Sequence, residues 1–362
     1  MPFPEFKPDS HKLLFFSRGR GRGHAMLDLE IVAALQREIP QLDVRFVSYA
    51  EGARAITDSG SPIIDLGLPA QNSYVETSVL AGRLIGWLQP DLVIAHEEFA
   101  VMPSAKIFDK PTLFLTDWFT SPDRLTMAAL RLADHILFLE EDGVFEEPPL
   151  LAGKVTYCGP YFRDFQHSRS DRWKVREEFS LPPHATLLGV FPGSWKEATT
   201  PLADLLEAAL PLLEARDVYI LWIAGDDATM LRERFAMRPR FLVREYEERI
   251  DAWMVACDGA ITKCNRKSAM ELLWLGVPSL AISWGYNPID DAWVKRHEAI
   301  DWLPSANLTP AELAPRIDYM LARGATIEPW RPRREPKESN RQILDQIVKW
   351  IRRAQANVAA GA

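Results

Sequence analysis

The chain has 362 residues, too many for one ordinary core, and its 47% hydrophobic and 25% charged content is the average soluble globular mixture. A net charge of −8 sets aside electrostatic binding of nucleic acid. Three cysteines, Cys158, Cys257 and Cys264, are odd in number and lack paired metal-ligand spacing, so they fit a reducing cytoplasm rather than a disulfide framework.

Met1 to Lys12 is polar and proline-rich and lacks the apolar centre of a signal peptide. No apolar run approaches the roughly 20 residues of a membrane span; a peripheral membrane contact, which needs only a surface patch, stays open. Beyond the N-terminus, short apolar runs alternate with amphipathic stretches. The runs of the first half are Leu13–Ser17, Val44–Tyr49, Ile63–Leu66, Leu92–Ala95, Thr112–Thr116 and Ile136–Leu139. Those of the second half are Leu187–Phe191, Val218–Ala224, Phe241–Val243, Ala260–Thr262 and Ser279–Ser283. Amphipathic stretches such as Leu27–Glu38, Leu202–Glu214 and Pro310–Ala322 lie between them. Continuous apolar strands are buried on both faces, which predicts parallel sheets covered by helices. Strand–helix alternation repeated twice predicts an α/β protein of two doubly wound, Rossmann-like domains. The pattern lapses at Gly159–Arg172 and again over the Pro- and Arg-rich residues 325–340. The expected domains are 1–163, rejoined by a tail helix over 340–362, and 170–338.

In doubly wound sheets ligands sit beyond the carboxyl ends of strands, where helix N-termini present unpaired N–H groups. The loop after the first strand reads Ser17-Arg-Gly-Arg-Gly-Arg-Gly-His24. Glycines such as Gly23 let it turn tightly, and Arg18, Arg20 and Arg22 bring charge that suits phosphate. The other reading is a tight turn whose arginines are neutralised by Glu97, Glu98 or Asp117. His24 stands at the helix entrance as a candidate base. His96, ending the strand Leu92–Ala95, is the second imidazole, and Asp117, after Thr112–Thr116, is a carboxylate to orient either one.

The loop after Leu187–Phe191 contains Gly193 and Ser194, either a phosphate-binding turn or an ordinary strand-to-helix connection. The segment Ile261–Ser283 reads as strand, polar loop, helix and strand. Its helix is expected to start at Ser268, an anion site crowded by Lys263, Arg266 and Lys267. Glu271 either completes a capping box with Ser268 or offers two acceptors to a ribose diol. Asp290 and Asp291 either accept from sugar hydroxyls or decorate a helix start. No Asp-x-Asp ends a strand, so no metal and no other cofactor is expected.

Gly23-His24, Gly193-Ser194, and Glu271 followed by Leu275-Gly276-Val277-Pro278 together resemble the GT-B glycosyltransferases of family 28, which include the peptidoglycan N-acetylglucosaminyltransferase. The resemblance covers nearly the whole chain. It implies two domains facing across a cleft and a hexosyl or N-acetylhexosaminyl transfer from a nucleotide-diphosphate sugar, with uridine as the base, to a hydroxyl acceptor. It further implies that Glu271 binds the ribose, that the backbone near Ser268 holds the diphosphate, and that Tyr246 and Glu247 border the base. Asp290 and Asp291 would contact the sugar, and His24 would act as base on the acceptor side. Where the family's loop is rich in glycine this chain has Asn265-Arg266-Lys267, and its first loop carries arginines, which points to an anionic acceptor, phosphate-bearing or lipid-linked. Gly23-His24-Ala25-Met26 also resembles nucleotide-sugar hydrolases of the same fold; a non-catalytic sugar-nucleotide binder is the third class.

Overall fold

The structure is a computed structural model that describes residues 6–7, 10–120, 124–181, 184–193, 198–213, 217–285, 287–323 and 327–361, the last five by backbone only. The chain gathers into two compact units, Met1–Arg163 with Pro332–Ala362, and Asp164–Arg331.

The strands of the first unit are β1 (His11–Ser17), β2 (Leu42–Ser48), β3 (Ile63–Asp65), β4 (Leu92–His96), β5 (Thr112–Thr116), β6 (His135–Phe138) and β7 (Val155–Tyr157). Helices α1 (Gly23–Glu38), α2 (Ala50–Asp58), α3 (Tyr74–Leu88), α4 (Val101–Ile107) and α5 (Leu125–Leu132) alternate with them. All pairings are parallel, in the order β3-β2-β1-β4-β5-β6-β7. Strand side chains alternate between faces, so a strand buried on both must be apolar throughout. In β1, Leu13 and Phe15 pack with α1 residues and with Ile343, Ile347 and Ile351, while Leu14 and Phe16 pack with Leu84, Ile85 and Met102. The three isoleucines follow a helical stripe and tie the tail to the first sheet.

In the second unit, β8 (Thr186–Val190), β9 (Val218–Ile223), β10 (Phe241–Arg244), β11 (Gly259–Thr262), β12 (Ser279–Ser283) and β13 (Ile300–Pro304) pair in parallel as β10-β9-β8-β11-β12-β13. Its helices are α6 (Arg172–Glu178), α7 (Thr199–Ala209), α8 (Ala228–Arg234), α9 (Ile250–Ala256), α10 (Arg266–Trp274), α11 (Pro288–Lys295) and α12 (Pro310–Arg323); α13 (Pro336–Gly361) is the tail. Two clusters cover the two faces of the sheet, one with Leu202, Leu206 and Ile317, the other with Val175, Trp253 and Leu272.

Every apolar run singled out in the sequence is a strand. Two further strands carry no such run. β7 has three half-buried residues, and β13 mixes Asp301, Trp302 and Pro304 with its apolar positions. Both are sheet edges, where partial cover relaxes the apolar requirement. Each sheet starts at its centre, grows to one edge, then returns to build the other half. Strand order therefore reverses between β1 and β4, and between β8 and β11. At such a switch point adjacent loops diverge and open a crevice beyond the carboxyl ends of the strands.

Candidate functional site

At the first switch point Ser17, ending β1, pairs in register with His96, ending β4. One step on, Glu97 adopts a left-handed backbone, φ +52°. That conformation is strained for a residue with a side chain and occurs preferentially at functional sites. From it the Glu97 carboxylate meets two partners on one oxygen: Arg18 Nη1 donates to Oε2 at 2.7 Å, and His24 Nε2 lies 3.1 Å away. His24 is the second residue of α1 and keeps 20% of its side chain exposed. Behind it His96 Nδ1 lies 2.6 Å from Asp28 Oδ1, while Ser17 Oγ donates to Asp28 Oδ2 at 2.5 Å. The two imidazoles stand edge to face, centroids 4.7 Å apart. His96 and Asp28 are fully buried. Beside them Tyr49 donates to Glu98 Oε2 at 2.9 Å.

The electrostatics follow from this crowding. Burial pushes the Glu97 carboxyl up, but His24 and Arg18 outweigh it and hold the group well below the usual carboxylate range. Glu98 goes the other way, raised by burial. Burial and the neighbouring Glu98 together raise the Tyr49 phenol. Arg18 keeps its charge: burial opposes it, and Glu97, Tyr49 and Glu98 more than compensate.

The glycine-rich loop serves packing as well as openness. A Cβ on Gly19 would stand 2.3 Å from the Tyr49 carbonyl oxygen, whereas one on Gly23 would meet nothing within 4 Å. Of the three arginines, Arg18 turns inward to Glu97 and Arg22 pairs with the exposed Asp58 at 2.5 Å; Arg20 is half-buried. Carboxylate neutralisation, one of the two readings of this loop, thus describes Arg18. Asp28 and Glu97 are carboxylates bonded to the imidazoles; Asp117, which the sequence offers to orient either ring, lies half-buried just past β5. Asp28 escaped the sequence reading, although a signal existed. It stands on the buried stripe of α1 with Ala25, Ile31, Val32 and Leu35, where a charge needs a partner.

At the second switch point the loop after β8 meets the loop after β11. Gly193 has φ +67°, and a Cβ there would stand 2.7 Å from Asn265 Nδ2. Ser194 lies outside the described residues. Helix α10 starts at Arg266, two residues before the expected Ser268, because Asn265 is its N-cap and accepts from Ser268 N at 3.3 Å. Asparagine caps as well as serine, so the Ser268–Glu271 capping box is not needed. Glu271 lies half-buried in the second turn of α10. Lys263 and Arg266 are buried near the N-terminus of that helix, Lys267 is half-buried with its ammonium enclosed, and Arg266 Nε approaches Asp290 Oδ1 at 3.7 Å.

A space of ≈ 300 Å³, open to solvent, lies among Lys263, Cys264, Ser283, Trp284, Asn287, Asp290 and Asp291. Asp291 is held from within: Ser283 Oγ donates to it at 2.7 Å and Trp302 Nε1 at 3.3 Å. Past β10, Tyr246 is 43% exposed and its hydroxyl donates to Asp226 at 3.4 Å; Glu247 beside it is half-buried. All three cysteines are buried, and burial pushes the Cys158 and Cys257 thiols up to about 12, which leaves them unreactive. Among the described residues no three His, Cys, Asp or Glu side chains gather as a metal site, and no helix is long and apolar enough to cross a membrane.

No family model matches the chain, and no curated protein matches it. Solved structures do. MurG of Acinetobacter baumannii is 15% identical over 93% of this chain and 99% of its own, with a TM-score of 0.62. The glycotransferase of kitacinnamycin is 17% identical over 95% of this chain and 100% of its own, TM-score 0.63. A putative UDP-N-acetylglucosamine 2-epimerase from Listeria monocytogenes is 15% identical over 92% and 95%, TM-score 0.62. At these identities the likeness is one of fold: the chain has the GT-B architecture of two Rossmann-like domains, the fold of MurG and other glycosyltransferases.

Proposed function

We propose that this protein is a metal-independent glycosyltransferase that moves a sugar from a uridine diphosphate sugar to an acceptor hydroxyl, with His24 as general base. The observation that carries the reading is the His24–Glu97 pair at the first switch point. A hydroxyl is a poor nucleophile until its proton is being removed, and an imidazole suits that task near neutral pH. Glu97 fixes the ring through Nε2. Arg18 shares the same carboxylate oxygen and tempers its pull on the imidazole. As the acceptor oxygen bonds to the anomeric carbon, the bond from that carbon to the diphosphate breaks. The nucleoside diphosphate leaves with the electron pair, and the acceptor's proton passes to His24.

The donor belongs to the second unit in this reading. The Gly193 loop and the N-terminus of α10 receive the diphosphate, with Lys263, Arg266 and Lys267 supplying the charge a metal would bring. Glu271 accepts from the ribose, Tyr246 and Glu247 border the base, and Asp290 faces the sugar. The uridine is supported by the family resemblance and by the substrate in the epimerase's name. Arg18 and Arg22 are each paired with a carboxylate, which weakens the case for an anionic or lipid-linked acceptor.

A donor screen with product mass spectrometry, run with and without hydroxyl acceptors and with chelator present, tests the reading. Glycosylated acceptor together with released nucleoside diphosphate supports it. Full-rate release without acceptor makes the protein a hydrolase, conversion of the donor sugar without release makes it an epimerase, and binding without turnover makes it a binder. Activity lost to chelator and restored by magnesium or manganese overturns the metal-independent part.

A further inference from the structure

The pair behind His24 has no part in the mechanism above. Asp28 is fully buried in α1, and both its oxygens are engaged from strand ends, by Ser17 Oγ at 2.5 Å and His96 Nδ1 at 2.6 Å. A carboxylate only accepts, so Nδ1 of His96 carries a hydrogen and the ring cannot flip without breaking the bond. The other nitrogen, His96 Nε2, is buried without a hydrogen-bond partner among the described residues, and the His96 ring abuts the His24 ring at 4.7 Å and 75°. A packing role alone would be filled by an apolar pair, since taking a carboxylate and an imidazole out of water is costly and natural cores avoid it.

We propose that Asp28 is a positioning residue for the site at the first switch point: it locks His96, and the locked pair sets the orientation and proton affinity of His24. The claim deepens the proposed transferase reading but rests on the geometry of the imidazoles. Around His24 stand Arg18 on the first loop, Glu97 after β4 and His96 on β4, with Tyr49 and Glu98 beside Arg18, Asp28 behind His96 and Tyr161 near Asp28. Of these only Asp28 acts through the second imidazole.

The test is an NMR titration of the histidine ring nitrogens in the full chain. Asp28→Asn keeps the shape and the acceptor oxygen but removes one negative charge near His24. The His24 midpoint then falls by half a pH unit or more, and the Nδ1–H signal of His96 shifts as its bond weakens from a charged to a neutral acceptor. An unchanged or raised His24 midpoint overturns the proposal. Where Asp28→Asn does not fold, His96→Asn replaces it; a His24 midpoint within 0.1–0.2 units (on the order of titration error) of the parent's overturns the proposal equally. Turnover of a uridine diphosphate sugar by the parent protein is read separately. Its absence alongside a shifted midpoint removes the transferase reading and leaves the role of Asp28 standing.

Discussion

Gly193 and Asn265 touch where a side chain would be: a Cβ on the glycine would stand 2.7 Å from the asparagine's Nδ2, and the glycine holds φ +67°. The two loops at the switch point of the second sheet therefore meet through a missing side chain. Gly193→Ala faces both a left-handed backbone and this contact, and costs about 1–2 kcal/mol. Chemical denaturation checks the stability loss. Uridine diphosphate titration should show weaker binding in the same variant; unchanged affinity would place the diphosphate elsewhere.

Asn265 and Glu271 separate capping from binding. Asn265→Ala removes the observed N-cap of α10 and lowers stability by about 1 kcal/mol. Glu271→Ala leaves the melting temperature close to the parent's but weakens uridine diphosphate binding by about 1–3 kcal/mol, the worth of hydrogen bonds to a charged acceptor. Calorimetric titration beside melting curves reads both, and the opposite pattern would return Glu271 to a structural role.

His24→Ala removes the proposed base, and kcat should fall by about 10²–10⁴ while nucleotide affinity, assigned to the second unit, stays put. His96→Ala should cost less, because the imidazole it removes lies behind the first. Steady-state kinetics decide; a large loss in His96→Ala with turnover kept in His24→Ala moves the base to His96.

Glu97→Gln probes the buried carboxylate through pH. The folded chain holds Glu97 well below its usual range, so the ionised group stabilises the fold at every pH above its unfolded value, about 4.3. That stabilisation fades as pH falls from there through the depressed folded value. At pH 7 the variant should be less stable by about 1–3 kcal/mol, since Arg18 and His24 lose a charged partner. The gap should narrow steadily as the medium is acidified below about pH 4. Urea denaturation across that range is the measurement, and a pH-independent gap would mean that packing, not charge, is what the glutamine disturbs.

The sequence by itself determined the two sheets. Leu13–Phe16 and the centres of its counterparts are apolar at consecutive rather than alternate positions, as strands covered on both faces require. It also placed His24, His96, Gly193 and Lys263 in loops after strands or at their ends, where α/β sheets put chemistry. What it could not decide was pairing. Asp28 lies 68 residues from His96, and His24 lies 73 from Glu97. No local periodicity links such positions; only the parallel alignment of β1 with β4, which brings Ser17 level with His96, makes them neighbours. The same holds for Asp291 and Trp302, which no local pattern links and which β13 brings together. Side-chain chemistry can be read from the sequence, but which carboxylate serves which imidazole is set by strand order, because long-range contacts depend on how the elements stack and not on their local pattern.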